Sequence, residues 1–96
     1  MARPKKPRRT LFNPDVVYFK PRAAPLSMIE EVELGLDEME ALQLCDLKNL
    51  SQKEAAQKMK VSQSTLSRIL ILARKKITKA LIKGQAIKIR KIQIIN

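Results

Sequence analysis

The sequence predicts a mainly α fold, with a helix-turn-helix three-helix core flanked by short N- and C-terminal β-strands. Three observations lead to this prediction. Residues 51–83 combine two helix-cap signals with one apolar stripe, residues 37–47 add a third cap, and apolar residues alternate after Gly84. A chain of 96 residues suffices for one small domain. We divide it into a basic flexible arm (1–12), an extended segment (13–35), the helical domain (36–84) and a C-terminal strand (85–96).

The N-terminal third is rich in cations and prolines. Met1 to Arg9 carries five cations and two prolines with nothing to bury, which is typical of a flexible arm. All five prolines fall between Pro4 and Pro25, so no long helix is expected there. Val16 to Phe19 predicts a short edge strand. Residues 27–34 stay open between helix and strand, because a capping-box pattern overlaps an alternating one.

A supporting helix is predicted from Asp37, with Glu40 completing an Asp-x-x-Glu cap. Its apolar positions would be Met39, Leu42, Leu44 and Leu47, and Cys45 beside them is interpreted as a small buried hydrophobe. The acidic residues of this region occupy helix-start and exposed positions. We therefore expect a solvated acidic face rather than a pair of catalytic carboxylates.

The clearest pattern consists of two helices joined by a short turn. Ser51 and Glu54 form a capping box before a helix over Gln52–Met59, with Ala55, Ala56 and Met59 facing inward. Lys60 takes the turn position where glycine is usual, and Ser62 caps a second helix that starts at Gln63. Gly84 is the expected C-terminal cap. The apolar stripe of this second helix comprises Leu66, Ile69, Leu70, Ala73, Ile77, Ala80 and Leu81.

The tail after Gly84 predicts a strand with a bulge or bend near Arg90-Lys91, where the alternation of apolar residues changes phase. Such a strand needs a partner, because unpaired strand edges promote aggregation. Two partners are open: the Val16 to Phe19 strand of the same chain, or the equivalent tail of a second copy, which would make a homodimer.

Charge indicates the class of partner. The chain has a net charge of +11 and a pI near 10.2, and no acidic residue follows Glu54. An acidic polymer is therefore the expected partner. A single cysteine, no histidine and only two glycines argue against a metal site, a cofactor and an enzyme. No membrane span and no signal peptide are apparent, so we expect a cytoplasmic protein.

Residues 36–81 resemble the fourth region of bacterial sigma factors. LSQKEAA from Leu50, VSQSTL from Val61 and ARKKI from Ala73 follow that region's order of helix, turn and second helix. With RPKKPRR from Arg3, Phe19-Lys20-Pro21 and the Gly84 tail, nearly the whole chain resembles a family of small prokaryotic predicted DNA-binding proteins of uncharacterised function. The resemblance implies a role in transcription. Lys60 departs from the usual turn glycine, and no other sigma-factor region is present, so promoter opening is not implied.

The function predicted from these patterns is sequence-specific binding of double-stranded DNA, with the helix from Gln63 in the major groove. Base contacts are expected from Gln63, Ser64, Thr65, Ser67 and Arg68, phosphate contacts from Ser51, Gln52, Lys58, Lys60, Ser62, Arg74 and Lys75, and minor-groove contacts of the arm from Arg3, Lys5, Lys6, Arg8 and Arg9. The alternative is an adaptor or architectural protein that binds RNA polymerase, or nucleic acid including RNA without sequence preference.

Overall fold

A computed structural model of the protein describes residues 16–90, and its architecture is mainly helical with one small sheet. This confirms the predicted fold class. The elements, in chain order, are β1 (Val16–Phe19), a 3-10 turn (Leu26–Met28), β2 (Glu31–Leu34), α1 (Leu36–Leu42) with a π-helical turn (Gln43–Leu47), α2 (Gln52–Met59), α3 (Gln63–Lys83) and β3 (Ala86–Arg90). No helix within residues 16–90 has the length and apolar character needed to cross a membrane.

The C-terminal strand β3 lies at the centre of a three-stranded sheet. It pairs antiparallel with β1, where Phe19 is opposite Ile87, and parallel with β2, where Leu34 is opposite Ile89. Pairing with the Val16 to Phe19 strand of the same chain is thus confirmed, and β1 is an edge strand. Both edges of β3 are occupied over residues 87–89, where its pairings with β1 and β2 overlap. A homodimer formed through this C-terminal strand would therefore have to pair beyond that stretch, and residues 91–96 lie outside the described residues together with the second half of the predicted bend.

Residues 27–34, which the sequence left open, divide between the two alternatives. A 3-10 turn covers Leu26–Met28, and the strand β2 covers Glu31–Leu34. Pairing with β3 and burial of Leu34, which is 2% exposed, favour the extended form for the second half. A contact 56 residues away along the chain decides this, since the Ala86 N–H donates to the Glu30 carbonyl at 2.8 Å.

Helix α1 begins one residue earlier than predicted and uses a different cap. The helix starts at Leu36 after Gly35, and the Glu38 carboxylate, not that of Glu40, accepts the Gly35 backbone N–H at 2.9 Å. The predicted Asp37–Glu40 cap is therefore wrong. The physical reason is the position of the N-cap: with Gly35 there, the residue three positions later is Glu38, whose carboxylate can reach the Gly35 N–H. Glycine also keeps a Cβ from approaching Asp37 Oδ1 to 3.2 Å.

Two of the predicted inward-facing leucines are exposed. Leu47 is 73% exposed, because the π-helical turn that follows α1 adds residues to the turn and rotates Leu47 away from the core. Leu81 is 74% exposed, whereas its neighbour Ala80 is 2% exposed, so at this point of α3 Ala80 is the residue that faces the core. The other residues of the predicted stripe on α3 are buried or half-buried.

The solvated acidic face predicted for residues 30–46 is wrong at Glu38, whose side chain is buried. Its Oε1 accepts a hydrogen bond from Lys76 Nζ at 2.9 Å, and the same Nζ donates to the Glu33 carbonyl at 2.8 Å. This pair ties α1 and β2 to the middle of α3. It sits beside a cluster of Leu34, Ala73 and Ile89 that joins the sheet to the helices.

We predict that Lys76→Met lowers the free energy of unfolding by about 2–4 kcal/mol, because it leaves a buried carboxylate without its cationic partner. Urea unfolding followed by circular dichroism measures this change. Lys79→Met is the matched control, since Lys79 is an exposed lysine of the same helix, and its effect should stay within about 0.5 kcal/mol. Equal effects of the two substitutions would contradict the structural role of the Lys76–Glu38 pair.

Candidate nucleic-acid interface

The turn between α2 and α3 is fixed at both sides by the predicted caps. Ser51 Oγ accepts the Glu54 N–H at 3.1 Å, and Glu54 Oε1 accepts the Ser51 N–H at 3.0 Å. This backbone hydrogen bond lowers the pKa of the Glu54 carboxyl, so the cap stays ionised at neutral pH. At the other side, Ser62 Oγ accepts the Thr65 N–H at 3.1 Å. Both helix starts are therefore anchored by the side chains that the sequence indicated.

Lys60 adopts the left-handed conformation expected of the turn, with φ 60° and ψ 43°. A residue with a Cβ pays about 1–2 kcal/mol in this region. Two hydrogen bonds from the turn to α2 offset part of this cost: the Lys60 N–H donates to the Gln57 carbonyl at 3.2 Å, and the Val61 N–H to the Ala56 carbonyl at 3.0 Å. The turn thus has one defined path from α2 into α3.

Small side chains on α2 let α3 cross close to it. Ala55 and Ala56 are 0% and 4% exposed, and they share one core cluster with Leu66 and Leu70 of α3, both 0% exposed. Ala41 and Leu44, at the end of α1, complete this cluster. Because alanine adds little bulk, it allows the two helices to pack more closely than a larger side chain would. The direction in which α3 projects from the domain is set by this contact.

The first two turns of α3 present polar side chains to solvent. Gln63, Ser64 and Arg68 are exposed, while Thr65 and Ser67 are half-buried and Leu66 points inward. Thr65 Oγ1 accepts hydrogen bonds from Ser62 Oγ at 2.9 Å and from Arg68 Nη2 at 3.4 Å. These contacts hold the Arg68 side chain along the helix and leave its other N–H groups facing solvent. The structure therefore places all five predicted base-contact residues on one short stretch of helix.

The predicted phosphate-contact residues differ in their exposure and in whether they already bind another group of the chain. Lys58, Lys60 and Lys75 are exposed and form no ion pair with a carboxylate of residues 16–90. Ser51 and Ser62 are exposed but occupied by their caps, and Gln52 is half-buried at the start of α2. The predicted arm residues, Arg3, Lys5, Lys6, Arg8 and Arg9, lie outside the described residues.

Arg74 differs from these lysines, because it is bound within the domain. Its Nη2 lies 2.6 Å from Asp46 Oδ1 and its Nε 3.0 Å from Asp46 Oδ2, a two-point contact between α3 and the π-helical turn. The contact lowers the pKa of the Asp46 carboxyl and raises the pKa of the Arg74 guanidinium. Arg74 is thus less available to a phosphate than the sequence suggested, since an internal carboxylate already neutralises it.

Most carboxylates of residues 30–46 bind other side chains of the same chain, in several cases at its surface. Glu31 accepts the Tyr18 hydroxyl, which raises the pKa of Tyr18, and Glu33 pairs with Arg90 at 3.2 Å. Glu30 Oε1 accepts an amide N–H of Gln85 at 3.1 Å. Together with Glu38 and Asp46, these groups join β2 and α1 to the rest of the domain. The paired carboxylates therefore lie outside α2 and α3. Within these two helices Glu54 is the one acidic residue.

Sequence patterns did not single out Ile71 and Leu72 as surface residues. They follow Arg68 on α3 and are 62% and 50% exposed, whereas their neighbours Ile69 and Leu70 face the core. In the sequence all four belong to one apolar run, so only their positions around the helix distinguish them. The exposed surface of α3 is thus polar in its first two turns and partly apolar in the third.

Comparison with known proteins places the chain among similar sequences. A family model described as "Protein of unknown function DUF134" matches residues 1–94. UPF0251 proteins of Halothermothrix orenii and Desulfosudis oleivorans are 49% and 48% identical over 88 and 89 residues, covering 92% and 93% of this chain but 65% and 64% of their own lengths. A UPF0251 protein of Caldanaerobacter subterraneus subsp. tengcongensis is 51% identical over 89 residues, covering 93% of this chain and 75% of its own length. The chain thus spans slightly less than two thirds of the first two relatives. No solved structure matches it significantly.

We predict that Asp46→Asn lowers the free energy of unfolding at neutral pH by less than about 1 kcal/mol, because the pair with Arg74 is exposed to solvent. Arg74 lowers the pKa of Asp46 below its ordinary 3.8, so this stabilisation is present above that pH and disappears as pH falls through the lowered value. Urea unfolding of wild type and Asp46→Asn, from neutral pH down to below the lowered pKa of Asp46, measures this difference in the free energy of unfolding. Glu40→Gln is the control, and a difference from wild type that persists in acid would contradict the assignment.

Proposed function

Because the chain belongs to the family described as protein of unknown function DUF134, we propose its function from its own geometry: it binds double-stranded DNA sequence-specifically and regulates transcription. The first turns of α3 enter the major groove, and α2 lies across the phosphate backbone as the first helix of a helix-turn-helix. A major groove about 12 Å wide admits one α-helix with its side chains. Contact with RNA polymerase and a cytoplasmic location are further parts of this proposal.

One observation carries the proposal: α3 leaves a tight, doubly capped turn with its N-terminal polar residues uncovered by any element in the described part of the chain. Gln63, Ser64 and Arg68 are all exposed there. Side chains at the N-terminal end of such a helix reach base edges when the helix enters the groove. An ordinary helix start on a protein surface would also be polar. Here, in addition, α2 packs against the inner side of α3 through Ala55 and Ala56, as the first helix of a helix-turn-helix does.

The chemistry of these side chains suits base edges. A Gln63 amide can pair with N6 and N7 of adenine, and the Arg68 guanidinium with O6 and N7 of guanine. The hydroxyl of Thr65 accepts two internal hydrogen bonds and keeps its own proton free to donate. These groups supply both donors and acceptors, which the major groove requires for distinguishing the four base pairs.

The distribution of charge supports a polyanionic partner at this face. Eleven basic and no acidic residues lie between 55 and 96. Lys58, Lys60 and Lys75 would each neutralise a phosphate and release counterions, which adds affinity for any sequence. Five acids of residues 30–46 (Glu30, Glu31, Glu33, Glu38 and Asp46) already contact other side chains of the chain. Asp37 and Glu40 remain exposed without an ion pair in the described residues, which is a small acidic surface for an adaptor that would dock through that segment.

Single-stranded RNA is a less suitable partner for this surface. Stacking platforms need exposed aromatic rings beside a basic groove. Tyr18 and Phe19, the aromatic residues within 16–90, lie on the edge strand β1, and the Tyr18 hydroxyl is bound to Glu31. Neither ring belongs to α2 or α3.

We predict that Arg68→Ala relaxes the preference for one base pair by about 1–3 kcal/mol, the discrimination that a two-point arginine–guanine contact provides. Selection from a random duplex pool with wild type and variant measures this preference. Lys83→Ala is the matched control, because Lys83 is an exposed cation at the far end of the same helix and should leave the motif unchanged. If wild type enriches no motif and binds every duplex with the same salt dependence, the sequence-specific function is wrong.

A further inference from the structure

Ile71 is an exposed apolar residue on the same side of α3 as the proposed base-contact residues. It follows Ser64 by seven residues, which at about 100° per residue leaves the two side chains only about 20° apart around the helix. It follows Arg68 by three residues, the spacing of direct neighbours on a helix surface. The side chain is 62% exposed, and Ile71 belongs to neither the buried core cluster nor the residues packed against it.

Exposure alone would carry little weight, because single exposed hydrophobic residues are common on proteins. The surroundings of Ile71 are more informative. Its neighbours one turn before and one turn after are Ser67, Arg68, Arg74 and Lys75, so hydroxyl and cationic groups flank the isoleucine along the helix. Leu72 beside it is 50% exposed and is the other apolar side chain of this turn. Apolar surface of this small extent between cations suits a polyanion that carries an apolar group better than the broad apolar face of a protein partner.

The major groove of DNA contains one such group, the C5 methyl of thymine, which apolar side chains contact in direct readout. The minor groove offers no methyl group, so this contact requires α3 to lie in the major groove. Along the helix axis, Ile71 lies about 4.5 Å beyond Arg68. Base pairs are spaced about 3.4 Å apart, so the thymine should lie one or two base pairs from the guanine that Arg68 contacts.

We propose that Ile71 reads a thymine through its C5 methyl, one or two base pairs from the guanine bound by Arg68. This inference rests on the proposed DNA-binding function and adds a specificity residue to it. The base-reading surface then includes Ser64, Arg68 and Ile71, which lie along one side of α3. Ile82 lies on the same side but about 16 Å further along the axis, beyond the reach of those base pairs.

The test replaces each thymine of the selected duplex, one at a time, by deoxyuridine, which removes the methyl and keeps every hydrogen-bonding group. Binding of each duplex is measured by fluorescence anisotropy with wild type, Ile71→Ala and Ile82→Ala. Burying one methyl contributes about 0.8 kcal/mol, so one deoxyuridine should weaken wild-type binding about fourfold. The loss should vanish in Ile71→Ala and persist in Ile82→Ala.

Ile71 is exposed, so its substitution should not disturb folding, and a thermal melt of each variant verifies this. The inference is overturned if a motif is selected but no single thymine methyl matters, or if the methyl effect survives in Ile71→Ala. In both cases the DNA-binding function itself stands. If wild type selects no motif at all, both the proposed function and this inference are wrong, which separates the two failures.

Discussion

The contact of α2 with α3 through Ala55 and Ala56 is the constraint on which the rest of the molecule depends. These alanines share one buried cluster with Leu66 and Leu70 of α3, and their small size leaves room for both leucines. A larger side chain at either position would push α3 away and rotate its exposed face. The direction of α3, and hence the position of Gln63, Ser64 and Arg68 relative to a ligand, follows from two of the smallest side chains in the core.

The rest of the fold holds the C-terminal end and the middle of α3 in place. The strand β3 returns after Gly84, which has φ 66°, and pairs with β1 and β2 on either side. Lys76 joins the middle of α3 to Glu38 at the start of α1, and Arg74 joins it to the π-helical turn at the end of α1. These two ion pairs lie just past the middle of the helix. In its first two turns Leu66 packs into the core, while Gln63, Ser64 and Arg68 stay exposed and can meet a ligand.

Local signals made the helices predictable. Ser51, Glu54, Ser62 and Gly84 act on their immediate neighbours, so the bounds of α2 and α3 could be predicted residue by residue. Contacts between distant residues could not. Glu38 is buried because Lys76 meets it 38 residues later, and Arg74 is neutralised by Asp46, 28 residues earlier. The strand β2 needed β3 to decide its conformation. The helical spacing left Ile71 out of the inward stripe that contains Leu70, but only the structure shows that no other described element covers Ile71.

The most direct test of the account is an NMR titration of the isotope-labelled protein with a duplex of about 20 base pairs, followed through the backbone amides. If α3 enters the major groove, the largest chemical-shift changes fall on residues 62–72 at the start of α3, with smaller ones at Ser51 and Gln52. The amides of residues 30–40 should hardly move. Changes centred on residues 30–40, or no changes beyond those produced by salt alone, would contradict the proposal that α3 enters the major groove.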